Sequence, residues 1–103
     1  MIQEEKSQVV CIAEFVARDG KLDEFLLAMH ALMAPTHREP GCIRYELNRR
    51  ADVPNVLTFV EKWKDQRSFD EHCAMPYIAR HFNELVPRLV ERFEVKMYRE
   101  ILP

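Results

Sequence analysis

Glycine and serine are scarce: the chain has only Gly20, Gly41, Ser7 and Ser68 of these two types. A loop that cradles phosphate needs several glycines so that backbone N–H groups can approach the anion. A dinucleotide fingerprint and a P-loop are therefore excluded. Neither serine lies in a G-x-S-x-G turn, which leaves a serine hydrolase without support. There is no H-E-x-x-H and no carboxylate cluster with ligand spacing, so no metal site is expected. Cys11, Cys42 and Cys73 are odd in number and form no C-x-x-C pair; they read as small hydrophobes in a reducing compartment. No apolar run approaches the roughly 20 residues of a membrane helix. The start, MIQEEKSQ, lacks the basic-then-apolar order of a signal peptide. A cytoplasmic protein away from membranes is expected. Fifteen Lys and Arg stand against 17 Asp and Glu, a net charge of −2, which gives no electrostatic reason for a nucleic-acid partner.

What is present reads as one globular domain. Residues 1–8 look like a flexible lead-in and residues 9–103 like the domain. VVCIAEFVA, Val9 to Ala17, is β-branched and apolar on both faces, with Glu14 the exception. Arg18-Asp19-Gly20 ends it with turn chemistry. Leu22, Phe25, Leu26, Met29, Leu32 and Met33 recur at helical spacing, which predicts a helix from Lys21 to about Arg38, with Pro35 disturbing its last turn. Cys42–Arg50 and Val56–Lys64 read as strands joined by a turn at residues 52–55. Asp65–Val90 reads as a helix capped by Asp65 or Ser68 and broken at Pro76. Phe93–Leu102 alternates as a final strand.

The order is β-α-β-β-α-β. It predicts an α+β, ferredoxin-like fold: a four-stranded antiparallel sheet with two helices on one face. Two helices cover only one face, yet the first strand is apolar on both. A second copy packed sheet to sheet would cover the other, so a homodimer is expected.

Candidate chemistry concentrates in the second half. Glu61 and Trp63, two apart on a strand, share a face. His72 and His81 flank Pro76 in HCAMPYIARH, and Tyr45 and Arg44 point to opposite faces of the neighbouring strand. A pocket between sheet and broken helix, lined by Trp63, His72, Tyr77, His81 and Phe82, would be mostly apolar with a few polar groups, the usual form of a small-molecule site. Plainer readings stand beside these. Trp63 is a core or cavity-wall residue, His72 a helix-end or surface group, and Glu61 a partner for Arg44 or Lys96 across the sheet. Glu14 is read as one member of a structural ion pair, and His30 and His37 as structural or exposed. Pro76 leaves the helical phase open, so which histidine faces inward stays open too.

Four stretches, AEF in the first strand, EPGCIRYEL, FVEKW and His72 with MPYIARHF, occur in an order and spacing that resemble the antibiotic biosynthesis monooxygenase family over nearly the whole chain. The resemblance implies a dimeric α/β barrel with a pocket in each subunit. It implies an oxygenase that inserts oxygen from dioxygen into a quinol or similar aromatic small molecule with no cofactor. On that basis His72, His81, Trp63 and Glu61 are the catalytic candidates. Ala13, Tyr45, Phe59, Tyr77 and Phe82 are the candidates for substrate binding. Aromatic oxygenases of the family carry an Asn near the strand Trp, where this chain has Phe59. Haem-degrading relatives pair a helix histidine, similar in placement to His81, with a first-strand Asn, where this chain has Ala13; that argues against haem degradation. Two alternatives remain: an oxygen-independent isomerase of a small phosphorylated metabolite, resembling the enzymes that process a quorum-signal product, and a non-catalytic small-molecule-binding dimer. The isomerase predicts that Arg44, Arg80 or Lys62 meets an anion in the pocket.

Overall fold

The computed structural model describes residues 2–4 and 6–103. Its centre is strand β2 (Val9–Ala17), whose apolar residues on both faces suit an interior position. It is flanked antiparallel by β4 (Val56–Trp63) and by β5 (Val90–Tyr98), and β3 (Cys42–Arg49) completes a sheet of order β3-β4-β2-β5. Gln3–Glu4 (β1) and Ile101–Leu102 (β6) pair as a separate two-residue ladder. This is the expected ferredoxin-like α+β fold, with the helices on one face. Among the described residues no helix is long and apolar enough to cross a membrane.

The register sorts the side chains. Tyr45, Glu61, Cys11 and Met97 stand in one row across the sheet, as do Leu47, Phe59, Ala13 and Val95. These rows face the helices, where Phe15, Phe25, Met29, Leu57, Trp63 and Leu89 form the core. Phe15 and Phe25 pack ring to ring at 5.7 Å.

The single helix expected over Lys21–Arg38 is two, α1 (Leu22–His30) and α2 (Met33–His37). Pro35 explains the break. Its ring excludes the carbonyl four residues earlier, at Ala31, and it has no N–H to bond there, so the interruption falls at Ala31-Leu32. α3 (Gln66–Cys73) begins at Asp65, whose side chain accepts from the Ser68 N–H at 2.8 Å. Pro76 then opens α4 (Pro76–Arg80) at a first-turn position, where a missing N–H costs nothing. The stretch expected to continue as helix to Val90 differs. His81–Leu85 is a π turn closed by Val86 N–H to His81 O, followed by α5 (Val86–Leu89), and Val90 already belongs to β5. Pro87 cannot donate the bond that a regular turn would return to Asn83.

Gly41 joins the two halves. A Cβ there would lie 2.2 Å from both Cβ and Oγ of Ser68, so only glycine lets the corner before β3 approach the first turn of α3. The Lys64 N–H bonds Gly41 O at 2.8 Å in the same place.

Glu14 lies on the sheet face away from the helices, opposite Glu94 and Thr58 in register. Among the described residues it makes no ion pair, so the pairing expected for it is not formed; Lys96 bonds Glu94 instead. The helices also stop short of β5. Phe93, Val95 and Met97, on the helix side of that strand, remain 49, 42 and 42% exposed.

Candidate active site

The small side chain of Ala13, midway along β2, opens a space between sheet and helices. Phe59 and Val95 flank it in register, and Leu32, Ile78 and Phe82 close it from the helix side. The resulting cavity holds about 80 Å³ and is walled almost wholly by apolar atoms. Cys73 and Val95, both exposed, form its rim.

Polar groups occupy its two ends. At the Cys11 end stands Glu61, only 5% exposed, accepting from Trp63 Nε1 at 3.0 Å. Burial pushes its carboxyl up to about 7; bonds from Trp63 and Cys11 pull the other way without cancelling that. Burial also raises the Cys11 and Tyr45 protons well above their ordinary values, so both stay protonated at neutral pH. The His72 ring lies 4.4 Å from Trp63 and 5.6 Å from Tyr45, centre to centre. Its Nδ1 is 2.8 Å from Glu39 Oε2. Burial lowers its affinity for a proton, and Glu39 only partly restores it.

At the Phe15 end stands His81. It is 1% exposed, lies nearly parallel to Phe25 at 5.9 Å, and meets Phe15 and Phe82 edge-on. Neither ring nitrogen has a hydrogen-bond partner among the described residues. Burial alone lowers its pKa to about 4, so the ring is neutral near pH 7 and carries one N–H and one lone pair. A buried polar group without a partner costs roughly 1–3 kcal/mol, so a water or a ligand in the cavity would be held by this ring. His81 opens the π turn, a distortion that recurs at functional sites.

Of the nine residues singled out from sequence, Ala13, Tyr45, Phe59, Glu61, His72, His81 and Phe82 line this cavity. Both histidines face inward. Trp63 is fully buried outside the lining, where it holds Glu61 and stacks on His72. Tyr77 also lies outside, donating to Glu39 and 3.2 Å from Thr36 Oγ1. Glu61 pairs with neither Arg44 nor Lys96, because its strand position turns it toward the helices; Arg44 bonds Glu46 on the other face. His37 bonds the Tyr45 carbonyl at 2.8 Å, and His30 is exposed. Among the described residues no lysine or arginine lines the cavity. Sequence reasoning missed Glu39, although it opens one of the motifs. Nothing in its own neighbourhood marks it as buried; the contact that buries it comes from His72, 33 residues away.

A ferredoxin-like sheet with an apolar, histidine-lined cavity under its helices defines a class of small α+β proteins built to hold a small molecule. Residues 8–84 match the model of the family described as "Antibiotic biosynthesis monooxygenase", and the chain belongs to that family. It is similar over its full length and the full length of the other chain to the crystal structure of protein SO0527 from Shewanella oneidensis, with 42% identity and a TM-score of 0.98. The Mycobacterium tuberculosis protein named "Putative monooxygenase Rv0793" is 31% identical over 75 residues, 73% of each sequence. Its structure covers 94% of this chain and 98% of its own, with a TM-score of 0.88. An uncharacterized Synechocystis protein is 25% identical over 88% of the chain, which spans only 62% of that relative's length.

Proposed function

We propose that the chain is a monooxygenase that oxidises a quinol or related phenol with dioxygen, using neither metal nor flavin. The observation that carries this reading is the cavity itself. It is apolar, free of cations, and furnished with two neutral imidazoles and a carboxyl group that titrates near neutrality.

In this reading the aromatic ring lies over Ala13 between Phe59 and Val95. His72 Nε2 takes the proton of a ring hydroxyl. The resulting anion is electron-rich enough to pass an electron to dioxygen, and the two radicals combine to form a C–O bond. Loss of water from the peroxide then leaves one oxygen atom on the ring. For a hydroquinone the balance is substrate plus O2 giving a hydroxyquinone plus water, so the substrate supplies every electron. Burial excludes solvent and strengthens each polar contact with the ring. Protonated Glu61 donates to the developing oxyanion, and His81 meets the substrate at the opposite end. Trp63 acts behind the wall by orienting Glu61 and His72. The subunit works as a homodimer packed through the outer sheet face.

The isomerase of a phosphorylated metabolite loses its footing. An anionic group would find no Arg or Lys in the cavity, and Arg44, Lys62 and Arg80 all lie outside its lining.

Oxygen uptake by purified protein over a panel of quinols, with chelator present, tests the proposal. Uptake above autoxidation is expected, falling about 10²–10⁴-fold in His72→Ala, the usual contribution of a positioned base. A flat trace across the panel would sink the oxygenase reading.

A further inference from the structure

Glu39 has no role in the reaction as drawn above. It stands at the corner between α2 and β3, with its side chain 8% exposed. Among the described residues neither lysine nor arginine pairs with it. Instead, two polar groups converge on one oxygen. His72 Nδ1 is 2.8 Å from Oε2, and the Tyr77 hydroxyl donates to the same atom. Tyr77 donates to this oxygen, as it would to a carboxylate, and a carboxylate only accepts; with Glu39 in that form the hydrogen between it and His72 sits on Nδ1. Tyr77 has committed its proton to Glu39, so the fully buried Thr36 hydroxyl, 3.2 Å away, donates to Tyr77. Every bond in the cluster then has a direction: Thr36 to Tyr77, Tyr77 to Glu39, and His72 to Glu39.

A neutral imidazole carries one hydrogen. With that hydrogen on Nδ1, Nε2 keeps its lone pair. Nε2 bonds no other described residue, and the ring lines the cavity. We propose that Glu39, steadied by Tyr77, is a positioning residue that locks His72 in its Nδ1–H tautomer, so that the cavity presents a proton acceptor at this point and selects ligands bearing an O–H donor over those offering only an acceptor. The inference rests on His72 being the group that meets the ligand, as proposed above, but not on any oxygen chemistry.

Nitrogen-15 spectra of the histidine rings in the ligand-free protein read the tautomer directly. The Nδ1–H form is expected for His72, against the Nε2–H form that free histidine prefers. In Glu39→Ala the Nε2–H form should take over. A wild-type ring in the Nε2–H form, or a variant that keeps Nδ1–H, overturns the proposal; the wild-type spectrum decides even if the variant does not fold. Phenol and fluorobenzene, nearly equal in size but differing in the O–H donor, are the ligand probes. Wild type should bind phenol about tenfold more tightly, the effect of one net hydrogen bond, and Glu39→Ala should lose that preference. Equal binding of the two probes by wild type overturns the selection. Absence of oxygen uptake with every quinol would defeat the oxygenase reading and leave both of these results standing.

Discussion

Glu61 and His81 are buried at opposite ends of one cavity, and burial acts on them in opposite senses. The carboxyl group is raised to about 7 from an ordinary 4.5, and the imidazole is lowered to about 4 from an ordinary 6.5. Between pH 4.5 and 7 the unfolded chain has released the Glu61 proton while the folded chain still holds it, so this group makes stability fall as pH rises. Between pH 6.5 and 4 the unfolded chain takes up a proton at His81 that the folded chain refuses, so that group makes stability fall as pH falls; His72, also lowered, adds to this side. Each contribution is about 3 kcal/mol, and over their shared window they largely cancel. Glu61→Gln removes one side of the balance. Its stability relative to wild type should rise by about 3 kcal/mol between pH 4.5 and pH 8, as read from urea unfolding at a series of pH values. A difference independent of pH would mean that Glu61 is ionised in the fold like any surface carboxylate. Seven of the nine candidates line the cavity, but strand alternation pointed only to part of them: Ala13 and Phe59 came with the family resemblance, and Pro76 left open which histidine turns inward. The sequence left Glu39 hidden, because its burial depends on a contact made only in three dimensions.

Helices and strands carry this site through a few points of close approach. Gly41 is the sharpest of them. With a β-carbon there, the corner carrying Glu39 must back away from Ser68, and Glu39 must then draw away from His72. Gly41→Ala should cost about 1–3 kcal/mol, the usual penalty of forced overpacking. Most of that should return in the double variant with Ser68→Gly, which removes the opposing atoms. A thermodynamic cycle from denaturant unfolding measures the coupling, and additive effects would place the strain elsewhere. The elements themselves followed from patterning: three of the four long strands were located to within a residue, and the last, expected over Phe93–Leu102, runs Val90–Tyr98. The helices followed less well. Pro35 acts on a carbonyl four residues upstream, which moves the break from the last turn to Ala31-Leu32. The π turn at His81–Leu85 has no compositional mark; it is the sum of Pro87 withholding one bond and the core drawing His81 inward.

For the whole molecule, the element order alone implied the layered arrangement, and with it an uncovered sheet face. That face carries Val10, Ile12 and Val60, half-buried within one chain, among charged neighbours: Lys62 bonded to Glu100, and Lys96 to Glu94. Apolar positions bordered by ion pairs suit a contact surface with a dry centre and a polar rim. The exposed Phe93, Val95 and Met97 belong to the opposite face, beside the mouth of the cavity, so a sheet-to-sheet pair would leave the way in for a ligand open. A dimer of this kind predicts twice the chain mass of 12.3 kDa by light scattering. Val60→Asp, which sets a charge at the centre of the contact, should shift that mass to the monomer, because a buried unpaired carboxylate costs several kcal/mol. His72 would still be bonded to Glu39 in the monomer, since both lie on the helix side of one chain. A Val60→Asp protein that remains dimeric would move the interface off this face, and the β5 stripe would be the next surface to test.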